Sequence, residues 1–335
     1  MATAVGHQAR RMLPALTLIA GSVAPASARV LVPTVFEAGH FYAVPESPNG
    51  TTLRLMVDTG GAGGSGLLVL SAEAARRFGV RSETCHAFGE PMDVARSIAF
   101  RPTRALPLAG PFAPCHAVAI INPRFSGDGT LGAGYLPGFI WTFDYPRHAL
   151  WVEDAGWVHP ADAMAIPLHF PHRADGEKGS GLPRMTVSVD GQPLDFLFDT
   201  GASAFPTEAG EAASRTPTVR GLGVTSYIVT SVFETWHRRH PDWRVVRNGD
   251  SFGKGERLIE VPRVVLSPVP GGHVGQEAPV ADHVWFTERP DANFDASGLS
   301  QYMDGLVSGS LGANVYGTFV VTVDYPKETL WLSRR

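Results

Sequence analysis

Val57-Asp58-Thr59-Gly60 and Phe198-Asp199-Thr200-Gly201 carry the same pattern, an apolar residue followed by Asp-Thr-Gly. Each copy lies at the same distance downstream of a turn dipeptide, Asn49-Gly50 in the first case and Asp190-Gly191 in the second. Such dipeptides between apolar runs predict β-hairpins. Each aspartate is therefore expected where the second strand of a hairpin ends, and the chain is predicted to contain two copies of one unit.

A second pattern downstream is also duplicated. Leu131-Gly132-Ala133 precedes Asp144-Tyr145-Pro146, and Leu311-Gly312-Ala313 precedes Asp324-Tyr325-Pro326 with the same spacing. Two similar units can place two like side chains face to face. The sequence therefore predicts that the two Asp-Thr-Gly aspartates meet.

A pair of facing aspartates has a defined chemistry. Carboxylates about 3 Å apart do not both ionise readily, so they share a proton. The ionised member can take a proton from water while the protonated member donates to a carbonyl oxygen. Glycine lets two such loops approach closely, and a threonine hydroxyl can bond across to the facing loop. These residues predict Asp58 and Asp199 as a catalytic pair.

On these motifs the chain resembles the retropepsin-like aspartic proteases of bacterial type, with two repeats fused in one chain. The strongest matches are Phe198 to Ala202 and the segment from Leu311 to Pro326. The resemblance implies an all-β fold with a few short helices. It also implies a bilobal pseudo-twofold aspartic-protease architecture, with a β-barrel in each lobe. The nucleophile would be water, with no cofactor and no metal.

The same resemblance implies an aspartic endopeptidase, a hydrolase that cuts an extended peptide or unfolded protein. A flap would lie at Phe88-Gly89, and a second hairpin around Asn248 to Gly253 could correspond to it. The residues expected to support the catalytic loops are Thr59, Gly60, Thr200, Gly201, Leu131, Gly132, Leu311 and Gly312.

Two departures from the family pattern support an alternative. Gly61 begins a glycine-rich run that makes the first loop longer before its helix than the second, and no tyrosine lies between Arg81 and Ile121. The alternative function is a catalytically inactive binding or inhibitor protein on the same fold. A third possibility is a serine hydrolase, because residues 249–253 read Gly-Asp-Ser-Phe-Gly. However, the residues that follow predict a hairpin where that motif requires a helix.

Composition and the N-terminus indicate an exported protein. The 335-residue chain has a net charge of −4, which excludes a strongly basic nucleic-acid surface. Arg10-Arg11, an apolar run and Ala26-Ser27-Ala28 predict a signal peptide at residues 1–28, cleaved after Ala28. The mature protein would be secreted or periplasmic, without a membrane anchor, and monomeric because one chain supplies both repeats. The predicted lobes are residues 29–158 and 159–335.

The remaining predictions concern local structure. Cys85 and Cys115 are the only cysteines, and in an exported chain they predict a disulfide. Helices are predicted from Ala72 to Phe78 after a Ser71 cap, from Thr207 to Arg215, and from Tyr227 to His240.

Overall fold

The chain folds mostly into β-sheet with a few short helices, which confirms the coarse fold prediction. The computed structural model describes residues 29–61, 67–87, 90–108, 114–253, 255–267 and 278–334. The predicted signal peptide and the flap tip Phe88-Gly89 lie outside the described residues.

Strands β1 to β11 form the first repeat and strands β12 to β23 the second. The first-repeat strands are β1 Val30–Val32, β2 Thr34–Glu37, β3 His40–Ala43, β4 Leu55–Val57, β5 Leu68–Ser71, β6 Glu83–Ala87, β7 Glu90–Ala95, β8 Ala119–Asn122, β9 Gly129–Leu131, β10 Ile140–Asp144 and β11 Ala149–Glu153. The second-repeat strands are β12 Met164–Pro167, β13 Arg184–Val189, β14 Gln192–Phe198, β15 Ser203–Ala204, β16 Gly223–Val224, β17 Ser226–Val229, β18 Val245–Asp250, β19 Glu256–Val265, β20 Val280–Arg289, β21 Gly309–Leu311, β22 Val320–Asp324 and β23 Thr329–Ser333.

The α-helices are α1 Ala72–Phe78, α2 Glu208–Ser214, α3 Thr230–Arg239 and α4 Ala313–Tyr316. Ser71 caps α1 by accepting from the Ala74 N–H, and Gly79 ends it in the left-handed conformation at φ 79°. Thr207 caps α2 in the same way. Short 3₁₀ turns lie at Pro102–Arg104, Pro114–His116, Leu136–Gly138, Tyr145–Arg147, Asp291–Asn293 and Leu299–Tyr302.

The predicted helix from Tyr227 to His240 begins too early. Tyr227 to Val229 belong to β17, which pairs with β20 on one side and β21 on the other. Those ladders satisfy the backbone groups of the segment in a sheet, so the helix starts only at Thr230.

The two repeats share one order of strands. The first repeat forms an eight-stranded sheet, β2-β3-β4-β9-β5-β8-β7-β6, and the second a seven-stranded sheet, β13-β14-β21-β17-β20-β19-β18. In each, the strand that enters Asp-Thr-Gly runs parallel to the strand of the Leu-Gly pattern: Val57 pairs with Leu131, and Phe198 with Leu311. The sequence duplication is therefore also a duplication of strand pairing.

A third sheet joins the repeats. Its six strands run β1-β11-β10-β22-β23-β12, so each repeat contributes three. The central strands are antiparallel and place Thr142 opposite Thr322, with the two hydroxyl oxygens 2.8 Å apart. One apolar core extends through both repeats and includes the fully buried Trp141, Phe143 and Val323.

The predicted disulfide is present. Cys85 and Cys115 are bonded with their Cα atoms 6.4 Å apart, which ties β6 to the turn at Pro114–His116. Among the residues described, no helix has the length and apolar character needed to cross a bilayer.

Candidate functional site

The two Asp-Thr-Gly aspartates occupy matching places at the ends of β4 and β14. The Asp58 N–H donates to the carbonyl of Leu131, and the Asp199 N–H donates to the carbonyl of Leu311, each at 3.0 Å. The backbone carbonyl of the leucine in each Leu-Gly pattern therefore holds the start of one aspartate loop.

Thr59 and Thr200 bind the two loops together. Each threonine N–H donates to the other threonine's Oγ1 at 3.0 Å. The Thr59 hydroxyl donates to the Phe198 carbonyl at 2.6 Å, and the Thr200 hydroxyl donates to the Val57 carbonyl at 2.7 Å. Both threonines are almost inaccessible to solvent, at 0% and 2% exposure. These four hydrogen bonds, here called the threonine latch, cross from one repeat to the other.

Gly60 and Gly201 bring the carboxyl groups within reach of each other. Each glycine N–H donates at 3.0 Å to Oδ1 of the aspartate in its own loop. A Cβ on Gly60 would lie 2.4 Å from Cγ of Asp199, and one on Gly201 would lie 2.2 Å from Cγ of Asp58. No side chain fits at either position while the aspartates keep these places.

The two carboxyl groups form one hydrogen-bonded acid pair. Burial raises the pKa of Asp58, although the hydrogen bond from Asp199 offsets part of that rise. Burial and the facing charge of Asp58 raise the pKa of Asp199 well above its usual range. Asp199 is also the more buried member, at 8% exposure. The pair therefore shares one proton, and together the two carboxyl groups offer a ligand both a donor and an acceptor.

The two loops differ immediately after the motif. A Cβ on Gly61 would lie only 1.9 Å from Oδ2 of Asp58, so the backbone here packs directly against that carboxylate. In the second loop Ala202 takes the matching place, and its carbonyl accepts from the Thr225 N–H at 3.3 Å. The threonine latch is thus symmetric between the two repeats, whereas the residues directly after the motif, Gly61 and Ala202, differ.

Sequence reasoning missed two side chains at the site. The Tyr316 hydroxyl donates to the Asp199 carbonyl at 2.8 Å. Nε2 of the buried His40 lies 3.3 Å from both the Ala202 carbonyl oxygen and the Ser203 hydroxyl. Burial lowers the pKa of His40 to about 4, so the ring is neutral near pH 7. Tyr316 lies inside the duplicated Leu-Gly segment and could have been noticed there, whereas no pattern distinguishes His40.

Strand pairing corrects the comparison of the two loops. The sequence comparison treated α1 and α2 as the equivalent helices after the two Asp-Thr-Gly motifs. By that comparison the first loop is longer than the second. In the structure β17 pairs as β5 does, so the helix that matches α1 is α3. Residues 203–225 are therefore an insertion in the second repeat, and the second loop is the longer one.

This insertion also holds the predicted second hairpin in place. The Ser251 N–H donates to the Phe205 carbonyl at 2.8 Å, and the Thr207 N–H donates to the Gly249 carbonyl at 3.0 Å. The rings of Phe205 and Phe252 stack with centroids 5.6 Å apart. The hairpin is thus tied to the insertion along its edge.

The serine-hydrolase string lies in that hairpin. The Ser251 hydroxyl donates to the Phe205 carbonyl at 2.8 Å, and β19 follows where a nucleophile elbow would have a helix. Within the described ranges, no group of three or more His, Cys, Asp or Glu side chains is arranged to hold a metal ion.

A pocket of about 580 Å³ opens beside the acid pair and includes Gly60 in its wall. Leu182, Leu299 and Tyr302 supply apolar surface, while Arg173 and Gln301 supply polar groups. The pocket is therefore mixed in character, and Gly60, whose N–H donates to Asp58, is the residue of the two aspartate loops that lines it.

The raised pKa of the acid pair predicts how stability changes with pH. Because the folded pair holds a proton at pH values where unfolded carboxyls, with pKa near 3.9, have lost theirs, stability falls as pH rises through the folded pKa. Asp199→Asn keeps a hydrogen-bond donor at this position and removes the carboxyl group that would ionise as the pH rises. The free energy of unfolding of the variant minus that of the wild type should therefore increase from pH 4 to pH 8, as measured by urea unfolding. A difference that is constant with pH would contradict the shared proton.

His40 must be separated from this effect. Its lowered pKa makes stability rise with pH between about 4 and 6.5, the opposite direction. Since His40 is present in both proteins, its contribution cancels in the difference, and the exposed Asp242→Asn variant serves as the control.

No family model matches the chain, and no curated protein matches it. Basic 7S globulin from soybean is 14% identical, with 92% of this chain and 97% of that chain covered and a TM-score of 0.44. Conglutin gamma, a basic 7S globulin from lupine seeds, is 11% identical, with 92% and 95% covered and a TM-score of 0.45. Similarity at this level says nothing about a ligand of this chain.

These findings correct the family expectation. The similar structures named above are 7S globulins and not retropepsins, and no family model supports a retropepsin-like assignment. The predicted retropepsin-like family, hydrolase class and aspartic endopeptidase activity are therefore not supported. The physical reason is that Thr and Gly in this motif determine the shape of the loop. A loop of that shape can form whether or not its aspartate takes part in catalysis.

Proposed function

We propose that the chain is a non-catalytic binding protein that holds an extended peptide segment in a cleft between two lobes. The lobes are residues 29–158 and 159–335, related by a pseudo-twofold axis near the threonine latch. Asp58 and Asp199 form the floor of the cleft and act as ligand-binding groups. The observation that carries this proposal is the single-proton acid pair beside the pocket of about 580 Å³.

The chemistry of the acid pair suits a peptide backbone. The protonated member of the pair is a donor and the ionised member an acceptor, while an extended peptide presents C=O and N–H groups in alternation. Leu182, Leu299 and Tyr302 would receive an apolar side chain next to that contact. Arg173, which is largely exposed, would face the solvent side of the ligand.

Two features favour binding over turnover. The Gly61 backbone packs directly against Oδ2 of Asp58 and so occupies space beside that oxygen that an attacking water would need. The second-repeat hairpin is bonded to the insertion through Phe205 and Ser251, so it is fixed along its edge. The predicted export signal and the Cys85–Cys115 disulfide are consistent with a monomer that works outside the cytoplasm.

Peptide binding is tested with a hexapeptide that carries a secondary hydroxyl at its centre and a matched peptide without it. A hydrogen bond to a charged group is worth about 1.5–3 kcal/mol, so the hydroxyl peptide should bind at least about tenfold more tightly by calorimetry. Asp58→Asn and Asp199→Asn should each remove that preference, while the control Asp242→Asn should keep it. Equal affinity of the wild type for both peptides, or no binding of either, would refute the proposal.

A further inference from the structure

Two phenylalanine rings lie beside the loop that carries Asp199. Phe205 comes four residues after Gly201, and its ring stacks on the ring of Phe252 in the second hairpin, with centroids 5.6 Å apart. Phe252 is 55% exposed, although phenylalanine is among the residues most often buried. The two rings, here called the aromatic ledge, therefore present apolar surface to solvent close to the acid pair.

The backbone of the aromatic ledge is fixed by one buried carboxylate. Asp250 is inaccessible to solvent, at 0% exposure. One of its oxygens accepts from the Phe205 N–H and the other from the Phe252 N–H, each at 2.8 Å. A ring whose backbone is held in this way loses little conformational freedom when a ligand packs on it. The aromatic ledge is thus preorganised for a contact.

A buried arginine supports the aromatic ledge from beneath. Arg289 is 3% exposed, and its guanidinium carbon lies 5.0 Å from the centroid of the Phe252 ring and 4.4 Å from that of the Tyr227 ring. A carboxylate oxygen of Asp250 lies 3.8 Å from its Nη2. Because a cation is costly to bury without such partners, these contacts determine where the guanidinium lies. Arg289 in turn fixes the position of Phe252.

Tyr227 connects this support to the acid-pair loop. Its hydroxyl donates to the Ser203 carbonyl and accepts from the Ser203 N–H at 3.0 Å. Ser203 comes four residues after Asp199, so one ring holds both backbone groups of a residue in that loop. Contacts therefore run without a break from the Asp199 loop through Tyr227 and Arg289 to Phe252.

The aromatic ledge and the pocket of about 580 Å³ lie on opposite sides of the acid pair. Gly60 lines the pocket, and Gly201 begins the segment that leads to Phe205. A Cβ on Gly60 would meet Asp199 and one on Gly201 would meet Asp58, so the acid pair lies between the two glycines. The four residues from Gly201 to Phe205 span at most about 14 Å, which is half the length of an extended octapeptide.

We propose that the aromatic ledge is a second subsite of the peptide cleft that takes an aromatic side chain of the ligand, with Arg289 as its positioning residue. The inference rests on the proposed peptide-binding function and adds a preference for one class of side chain. An aromatic ring suits the subsite because it can extend the existing stack of Phe205 and Phe252. A peptide centred on the acid pair would thus be recognised on both sides.

Calorimetry with octapeptides that carry a central secondary hydroxyl tests the aromatic ledge. Phenylalanine, cyclohexylalanine or alanine is placed three residues before the hydroxyl in one set and three residues after it in another. At the position that meets the ledge, phenylalanine should bind at least about fivefold more tightly than alanine and at least about twofold more tightly than cyclohexylalanine.

Phe252→Ala should remove the preference for phenylalanine at one of the two positions, which identifies the side of the ledge. Val158→Ala is the control, because that apolar residue is 78% exposed and should leave the preference unchanged. Arg289→Met should reduce the same preference, and Arg289→Lys, which keeps a cation beneath the rings, should reduce it less. Urea midpoints establish that the variants are folded.

The hydroxyl separates failure of the ledge from failure of the cleft. A wild type that binds the hydroxyl octapeptide more tightly than its partner without the hydroxyl, and that shows no preference for phenylalanine at either position, would overturn the ledge alone. A preference that survives in Phe252→Ala would do the same, and equal binding of phenylalanine and cyclohexylalanine would overturn the aromatic assignment. Absence of binding of every octapeptide would overturn both proposals.

Discussion

Thr59→Val and Thr200→Val should each lower the free energy of unfolding by roughly 2–6 kcal/mol, because each removes two bonds of the threonine latch. Valine keeps the shape of threonine and loses the hydroxyl. Thr59→Val leaves the Thr200 N–H and the Phe198 carbonyl without partners, and both groups are buried. An orphaned buried polar group costs about 1–3 kcal/mol, which gives the range when two are orphaned.

Urea unfolding followed by tryptophan fluorescence and circular dichroism measures this effect. Thr235→Val is the matched control, because that hydroxyl donates to the Ser231 carbonyl within helix α3 in a solvent-exposed hydrogen bond. Its substitution should change stability by less than about 0.5 kcal/mol. If the latch variants lose no more than the control, the latch does not hold the two repeats together.

Gly60→Ala and Gly201→Ala should destabilise the protein by about 1–3 kcal/mol or more and reduce binding of the hydroxyl peptide at least tenfold. The added methyl would lie 2.4 Å from Cγ of Asp199 in one variant and 2.2 Å from Cγ of Asp58 in the other. The carboxyl groups must then separate. Separation weakens the mutual repulsion that raises the pKa of Asp199, so the pH dependence of stability should also flatten.

Gly305→Ala is the control for this pair. A Cβ there meets only the flexible Arg184 side chain, at 3.4 Å, and the residue has no positive φ. Peptide affinity and the urea midpoint should both stay near wild type. Wild-type peptide affinity in Gly60→Ala and Gly201→Ala would show that the spacing of the carboxyl groups does not matter for the ligand.

The parts of the fold that the sequence predicted are those that local chemistry determines. Asp190-Gly191 forms a hairpin turn wherever two strands flank it, and the two cysteines had only each other as partners. The meeting of Asp58 and Asp199 followed from the duplication, since both repeats build the same parallel pairing at Leu131 and Leu311.

Other features depended on distant contacts. Ser226 to Val229 is a short apolar run next to a helical pattern, and only its pairing with β20 and β21 makes it a strand. Thr142 and Thr322 face each other only because β10 and β22, which are remote in sequence, pair in the third sheet. The expectation of activity has a different basis: the motif predicts the geometry of the loop, and that geometry does not by itself determine whether the aspartates are catalytic.

Incubation with a reduced, carboxymethylated unfolded protein tests binding without turnover most directly. Gel filtration followed by intact mass spectrometry, across pH 4 to 7 and over a day, measures retention and cleavage together. A peptide-binding protein should retain the chain at full mass, and Asp199→Asn should retain less of it. Fragments that form with the wild type and not with Asp199→Asn would contradict the proposed function.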